Sequence, residues 1–259
     1  MISKSKIKLI RSLDKKKART DTLLFVAEGH KTVEELLPTF SCAFLAATAD
    51  WLTTHANLIS HLAPQGTDVQ PATTDELCKA SLLIHPQDVI ALFRQKKETT
   101  TPKLPENELC LALDNIQDPG NLGTIIRIAD WFGINHIYCS PDSADLYSPK
   151  TVQATMGAMA HVDVCRTSLP DLISHAPHNL PVYGTFLDGD NIYRQQLPPH
   201  ALIVLGNEGN GISKQTADLI SRRLLIPNMA QGRATIESLN VAAATAVVCS
   251  EFRRQASRF

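Results

Sequence analysis

No stretch of this chain approaches the roughly 20 consecutive apolar residues that a membrane-spanning helix needs. The longest runs, Ala201 to Gly206 and Val241 to Cys249, stop far short. Met1-Ile2-Ser3-Lys4 leads into charge and not into an apolar secretory core, so a cytoplasmic protein is the expectation, neither embedded in a membrane nor secreted. The six cysteines, Cys42, Cys78, Cys110, Cys139, Cys165 and Cys249, form no Cys-x-x-Cys pair and no Cys/His cluster at zinc spacing. No metal is expected, and the thiols read as reduced ones. A repeat of fixed period is also missing, and so is net charge: 26 acids stand against 25 Lys plus Arg.

What remains is an ordinary globular composition, 259 residues with 44% hydrophobic and 20% charged, enough for one large domain or two smaller ones. The near-zero balance hides an asymmetry. Residues 1–20 hold Lys4, Lys6, Lys8, Arg11, Lys15, Lys16, Lys17 and Arg19 against Asp14, a local charge of +7. Such a block can neutralise phosphates and release their counterions; it can equally be a solvated helix face.

The segment Lys96 to Asn107 carries two prolines, three consecutive threonines and no periodic apolar face. It reads as an extended, solvated linker, with domains over residues 1–98 and 108–259 joined by 99–107. Before it, Ile7, Ile10 and Leu13 predict a basic amphipathic helix. Strands are expected over 23–27, 42–47 and 88–93, with helices over 31–37 and after Thr73, where Thr73 and Glu76 have capping-box spacing. Beyond it the chain alternates: strands over 109–113, 136–140, 162–165, 182–186, 201–205 and 223–226, helices over 124–132, 150–160, 214–220 and from about 239. Continuous apolar strands alternating with helices predict an α/β fold with a mostly parallel sheet covered on both faces, and ligands in such sheets sit at the carboxyl ends of the strands.

Three loops gather the polar residues. Asp114 to Asp130 contains Asp118-Pro119-Gly120-Asn121, a strong turn signal, and places Asn121 and Arg127 where both can face one ligand; a helix cap and a solvated side chain are the plainer alternatives. Gly206-Asn207-Glu208-Gly209-Asn210-Gly211 follows a strand and lets the backbone approach a ligand closely. Its spacing is not that of a dinucleotide fingerprint, and no Lys-Ser or Lys-Thr completes a phosphate-cradling loop. Glu208 within it suits an amine, a hydroxyl or an arginine. The third, Leu225 to Asn240, ends at Ser238 and Asn240 before an alanine-rich helix, whose first N–H groups are free donors; Ser238 can alternatively be an ordinary cap.

Asn121-x-Gly123 followed by Arg127, then Gly206-Asn207-Glu208-Gly209, then Ile226-Pro227 with Glu237-Ser238-Leu239-Asn240-Val241, resemble in order the three motifs of the SpoU (TrmH-like) RNA ribose 2′-O-methyltransferases of the SPOUT superfamily. The match spans residues 108 to about 255. The preceding part, with Phe25-Val26-Ala27-Glu28-Gly29, resembles the small α/β ribosomal-protein-like domain that binds substrate in this family.

The resemblance implies a deep trefoil knot in the C-terminal domain, a rare exception to un-knotted topology. It also implies S-adenosylmethionine bound by Gly206, Asn207, Gly209, Ile226 and Leu239 with Thr185 as a neighbour, and a homodimer acting on RNA, ribosomal more than transfer RNA. Arg127 matches the residue held to contact substrate phosphate or ribose. A literal base role is discounted, because a guanidinium stays protonated. Asn121 and Asn240 are assigned to ribose or substrate hydrogen bonds, Glu208 to orienting Arg127 or the hydroxyl, and Ser238 to the same catalytic set. The nine residues between Pro227 and Glu237 exceed the family's usual length, and Arg233 among them is a further RNA or intersubunit candidate. Arg253, Arg254 and Arg258 extend the RNA surface or simply end a helix. The alternatives are a non-catalytic RNA-binding or ribosome-assembly protein on the same fold, a transfer-RNA enzyme, and a base methylase of the same superfamily.

Overall fold

The computed structural model describes residues 1–62, 64, 66–97, 102–230 and 238–256. Arg233, Glu237, Arg258 and residues 98–101 of the expected linker lie outside the described residues. Contacts gather the chain into two units, one of residues 1–97 with 145–160 and one of residues 98–144 with 161–259.

The first unit begins with α1 (Lys4–Ser12), capped by the Ser3 hydroxyl, which accepts from the Lys6 N–H at 3.2 Å. The apolar side of the helix buries Ile10 and, just past its end, Leu13 completely. There follow α2 (Lys16–Thr22), β1 (Leu24–Glu28), α3 (His30–Leu36), β2 (Cys42–Ala47), α4 (Ala49–Thr54), α5 (Ala56–Ser60), β3 (Asp68–Pro71), α6 (Thr74–Ala80) and β4 (Val89–Arg94). The sheet order is β1-β4-β2-β3, with β4 antiparallel to both neighbours and β2 parallel to β3. The capping box at Thr73 forms as its spacing predicts: the Thr73 hydroxyl accepts from the Glu76 N–H at 3.3 Å, and the Glu76 carboxylate accepts from the Thr73 N–H at 3.0 Å. Helices α2, α4 and α5 and strand β3 were not expected from the sequence. Each is four to seven residues long, too short to display a period.

Residues 145–160 pack with this unit. The helix expected over 150–160 is α8 (Pro149–Thr155), which ends where Met156 and Gly157 take positive φ angles of 52° and 95°, and a 3-10 turn covers Ala158–Ala160. Glycine is required at 157, since a Cβ there would lie 2.6 Å from the Cβ of Glu35. The segment is tied down by Arg19, only 4% exposed. Its Nη1 donates to the Leu13 and Asp14 carbonyls at 2.7 and 2.8 Å, and its Nε and Nη2 donate to Asp145 Oδ2 at 3.1 and 2.6 Å. Arg19→Ala would leave two carbonyls and a carboxylate without these donors. Asp145 keeps some solvent contact, so the loss should fall below the roughly 3–5 kcal/mol of a wholly buried pair, at about 2–3 kcal/mol. A urea midpoint unchanged by the substitution would contradict this.

The second unit comprises β5 (Leu109–Asp114), α7 (Pro119–Trp131), β6 (His136–Cys139), β7 (Asp163–Arg166), α9 (Leu169–Ser174), β8 (Val182–Asn191), β9 (Ala201–Gly206), α10 (Lys214–Ala217), β10 (Arg222–Leu225) and α11 (Val241–Ala256). Its six strands are all parallel, in the order β10-β8-β9-β5-β6-β7. β5 is buried throughout and β9 up to its last residue, which is why they read as unbroken apolar runs.

Three differences from the sequence expectation have physical causes. α7 starts at Pro119 and not at Thr124, because Asp-Pro is also a helix start: Asp118 Oδ1 accepts from the Asn121 N–H at 2.9 Å, and proline occupies the first turn. Leu104, in the expected solvated linker, is 7% exposed and joins the core of this unit, while Lys103 supplies a carbonyl to the Tyr138 hydroxyl at 2.8 Å. Arg253 and Arg254 are both engaged within the fold. Arg253 donates to the Phe132 and Gly133 carbonyls at 2.7 Å each, closing the C-terminal end of α7, and Arg254 forks onto the buried Glu251 at 2.7 and 2.8 Å.

Candidate active site

β5 and β9 lie side by side in register, with Asp114 opposite Gly206. The loops that leave their carboxyl ends therefore emerge together, and three side chains stitch them. Asp114 is 5% exposed; its Oδ2 accepts from the Ser213 N–H at 2.9 Å and the Ser213 hydroxyl at 2.7 Å. Asn115 adopts the left-handed conformation, φ 59°, which asparagine tolerates better than most residues. That turn presents its carbonyl to Asn207 Nδ2 at 3.0 Å.

Asn207 also holds its own loop shut. Its Oδ1 accepts from the N–H groups of Gly209 and Asn210 at 2.8 and 3.1 Å, and its backbone exchanges two hydrogen bonds with Gly211. Gly206 sits beneath this closed turn, where a Cβ would come within 2.3 Å of the Gly211 carbonyl carbon and the Ile212 nitrogen. The Asn207 side chain is thus spent on backbone groups and acts as a positioning residue. Asn207→Ala removes two acceptor bonds worth about 1 kcal/mol each. Hydrogen exchange at Gly209 and Asn210 should then accelerate by at least roughly tenfold; unchanged rates would show that the turn closes without it.

The three expected motif residues Asn121, Glu208 and Asn240 form one hydrogen-bonded chain. Asn240 caps α11: its carbonyl accepts from Ala244, and its Oδ1 accepts from the N–H groups of Ala242 and Ala243 at 3.0 and 3.3 Å. Its Nδ2 donates to Asn121 Oδ1 at 3.0 Å, and Asn121 Nδ2 donates to the carboxylate of Glu208. Every amide uses both ends, so the chain runs with one polarity from the positive end of the α11 dipole to a carboxylate, an arrangement in which each bond strengthens the next. The N-terminal ends of α7 and α11 meet here and Arg253 joins the last turn of α11 to the far end of α7, so the two helices run side by side in one direction.

The other expected residues are placed less directly. Arg127 is exposed on α7, six residues and so about 9 Å along the axis from Asn121. It makes no hydrogen bond or ion pair with a described residue; Glu208 takes its bond from Asn121. Ser238 is exposed beside Asn240 and makes no hydrogen bond with a described residue; the cap of α11 is Asn240. Leu239 is 46% exposed, and Ile226 and Pro227 are half-buried. Thr185 is the first residue of β8 beyond its pairing with β9, which ends at Gly184. Asp114, Asn115 and Ser213 were missed by sequence reasoning, although an acid ending a buried parallel strand was a usable signal. Burial pushes the thiols of Cys42, Cys110, Cys139 and Cys249 up to about 12, so none of these four is a thiolate at neutral pH. Among the described residues no group of three His, Cys, Asp or Glu side chains is placed to hold a metal ion, and no helix is long and apolar enough to cross a membrane.

Residues 108–250 match the model of the SpoU rRNA methylase family, and residues 4–91 match that of the MRM3-like substrate binding domain. The chain is 31% identical over 251 residues to the 23S rRNA (guanosine(2553)-2′-O)-methyltransferase RlmP of Bacillus subtilis, with 96% of each chain covered. Among solved structures it is similar to a protein described as an RNA methyltransferase of the TrmH family from Porphyromonas gingivalis, at 40% identity and a TM-score of 0.85 over 98% of this chain and 99% of that one. It is also similar to the AdoMet-bound rRNA methyltransferase of Sinorhizobium meliloti, at 28% identity and a TM-score of 0.85 over 98% and 97%.

Proposed function

Since the chain belongs to the SpoU rRNA methylase family, we infer that it is an S-adenosylmethionine-dependent RNA methyltransferase acting on a ribose 2′-hydroxyl of ribosomal RNA. The observation that carries this reading is the joining of Asn121, Glu208 and Asn240, one residue from each family motif, in a single hydrogen-bonded chain. The names of the B. subtilis and S. meliloti relatives support both the cofactor and the RNA class.

The residues present fit the cofactor. Gly206 leaves no room for a side chain, so the loop meets a ligand with backbone groups, and Leu239 beside the asparagine chain offers exposed apolar surface. Glu208, the only charged side chain in the glycine loop, is an anion, which suits a cationic sulfonium. Gly206, Asn207, Gly209, Ile226, Leu239 and Thr185 would hold the cofactor, Asn207 by fixing the loop. When bound, S-adenosylmethionine supplies an electrophilic methyl group whose leaving thioether is neutral.

The chain's own task is to bring a weakly acidic alcohol into line and steady the nucleotide around it. Arg127, charged and without a described partner, binds the substrate phosphate or ribose. Asn121 and Asn240 fix the carboxylate of Glu208, which accepts from the ribose hydroxyl and orients it. Ser238 lies next to this chain and contacts the same nucleotide. In this reading residues 1–98 bind RNA, 99–107 join, and 108–259 catalyse. The trefoil knot implied by the family belongs to the same reading, though residues 231–237 of its loop lie outside the described residues.

The enzyme works as a cytoplasmic homodimer. Trp131, 85% exposed at the end of α7, with the half-buried Ile128 and Val247 of α7 and α11, supports that surface as the interface. Calorimetric titration with S-adenosylmethionine tests the core of the proposal without a choice of RNA. Binding of one ligand per chain is expected; no binding to a folded protein would favour a non-catalytic RNA-binding role on the same fold.

A further inference from the structure

We propose that the exposed cations of α1 and the start of α2 form a track for the phosphate backbone of the RNA, separate from the residues that handle the reacting nucleotide. This rests on the RNA methyltransferase reading only for the identity of the polyanion. Lys4, Lys8 and Arg11 recur at helical spacing, within an arc of about 60° on α1. Ile10, which is fully buried, lies about 100–160° round the helix from these three. Lys15, Lys16 and Lys17 follow, all exposed.

The other basic residues of this stretch are committed elsewhere. Lys6 pairs with Asp68 at 3.2 Å and lies over the Phe44 ring, and Arg19 is the buried clasp of Asp145. Lys4, Lys8, Lys15, Lys16 and Lys17 make no ion pair with a described residue, and Arg11 spends one donor on the Lys79 carbonyl at 3.0 Å. Three lysines in succession repel one another, and no side chain caps α2 at Lys15. The start of α2 therefore gains nothing locally from its charge, whereas a row of phosphates would offset the repulsion and release counterions.

An anionic bilayer is the competing polyanion, but a membrane-bound amphipathic helix needs its apolar face free. Here Ile10 and Leu13 are wholly buried in the first unit. RNA, which asks only for exposed cations, is the occupant that fits.

The test replaces Lys4, Lys8, Lys16 and Lys17 by Gln in the full chain, sparing Arg11. The probes are an unmodified transcript of B. subtilis 23S rRNA and phosphatidylserine vesicles, with salt varied between about 50 and 200 mM. Wild type should bind the transcript with a steep salt dependence. Each phosphate contact contributes about 0.7–0.9 to the slope of log K against log salt, so the variant should lose about three units of slope. Its RNA Kd should rise at least tenfold, with its Kd for S-adenosylmethionine unchanged. The pairs Lys4/Lys8 and Lys16/Lys17, replaced separately, should each remove about half of that slope. Equal slopes and affinities in wild type and variants would overturn the track, as would binding to vesicles with none to the transcript. Failure of the methyltransferase reading looks different: neither protein binds S-adenosylmethionine, whatever the salt slopes.

Discussion

Arg127→Ala is expected to lower kcat/KM for methyl transfer by roughly 100- to 1,000-fold, the range for losing one donor that meets the reacting group, while cofactor affinity stays within about twofold. The asymmetry follows from where the side chain sits. Arg127 is exposed, makes no hydrogen bond or ion pair with a described residue, and belongs to a helix whose packing rests on Leu122, Ile125, Ile126 and Ala129. Its removal should change stability by no more than about 0.5 kcal/mol. Arg127→Lys keeps the charge but not the planar fork, and should recover only part of the activity. A variant that transfers methyl groups at the wild-type rate would remove Arg127 from the site; one that loses cofactor affinity as well would make it part of the cofactor loop.

Gly206→Ala should weaken S-adenosylmethionine binding by at least roughly tenfold, and turnover at limiting cofactor with it. The added methyl would meet backbone at 2.3 Å, at the carbonyl carbon and nitrogen of the Gly211–Ile212 peptide bond. Those atoms end a turn closed by the Asn207–Gly211 exchange and anchored by Ser213 on Asp114. Nothing there is the free end of a side chain, so the turn itself must shift, and if its peptides face the cofactor as proposed, each tenfold loss of affinity corresponds to about 1.4 kcal/mol. Asn210→Ala in the same loop is the control: its side chain is exposed and makes no hydrogen bond with a described residue, and affinity should change less than about threefold. Calorimetry on the two variants decides. Equal affinities would mean that the tight turn is not what holds the cofactor.

Much of the second unit was legible because its strands are buried on both faces. β5 and β9 show as unbroken apolar runs, and the parallel arrangement follows from their alternation with helices. The ends of elements were less legible. Asp118-Pro119 signals a turn and a helix start equally well, and only the packed Leu122 and Ile125 decide that the helix begins there. Leu104 looked like part of a solvated linker because one apolar residue between prolines has no period to reveal its burial.

The site was legible as residue types and not as a network. Family resemblance picked out Asn121, Glu208 and Asn240, yet nothing in a linear chain says that Asn240 donates to Asn121 and Asn121 to Glu208. The grip of Asn207 on the Asn115 carbonyl was equally hidden, since any residue carries a carbonyl. Arg19 sat unnoticed in a run of cations because its neighbours Lys15, Lys16 and Lys17 are exposed and it is not.

Methyl transfer to a ribose hydroxyl of ribosomal RNA can be followed by incubating the protein with methyl-labelled S-adenosylmethionine and unmodified ribosomal RNA, then digesting the product to nucleosides. Label should appear in a 2′-O-methylated nucleoside, and Arg127→Ala should incorporate it at least roughly a hundredfold more slowly than wild type. Label on a base, or none from a protein that binds the cofactor and the RNA, would contradict ribose methyl transfer.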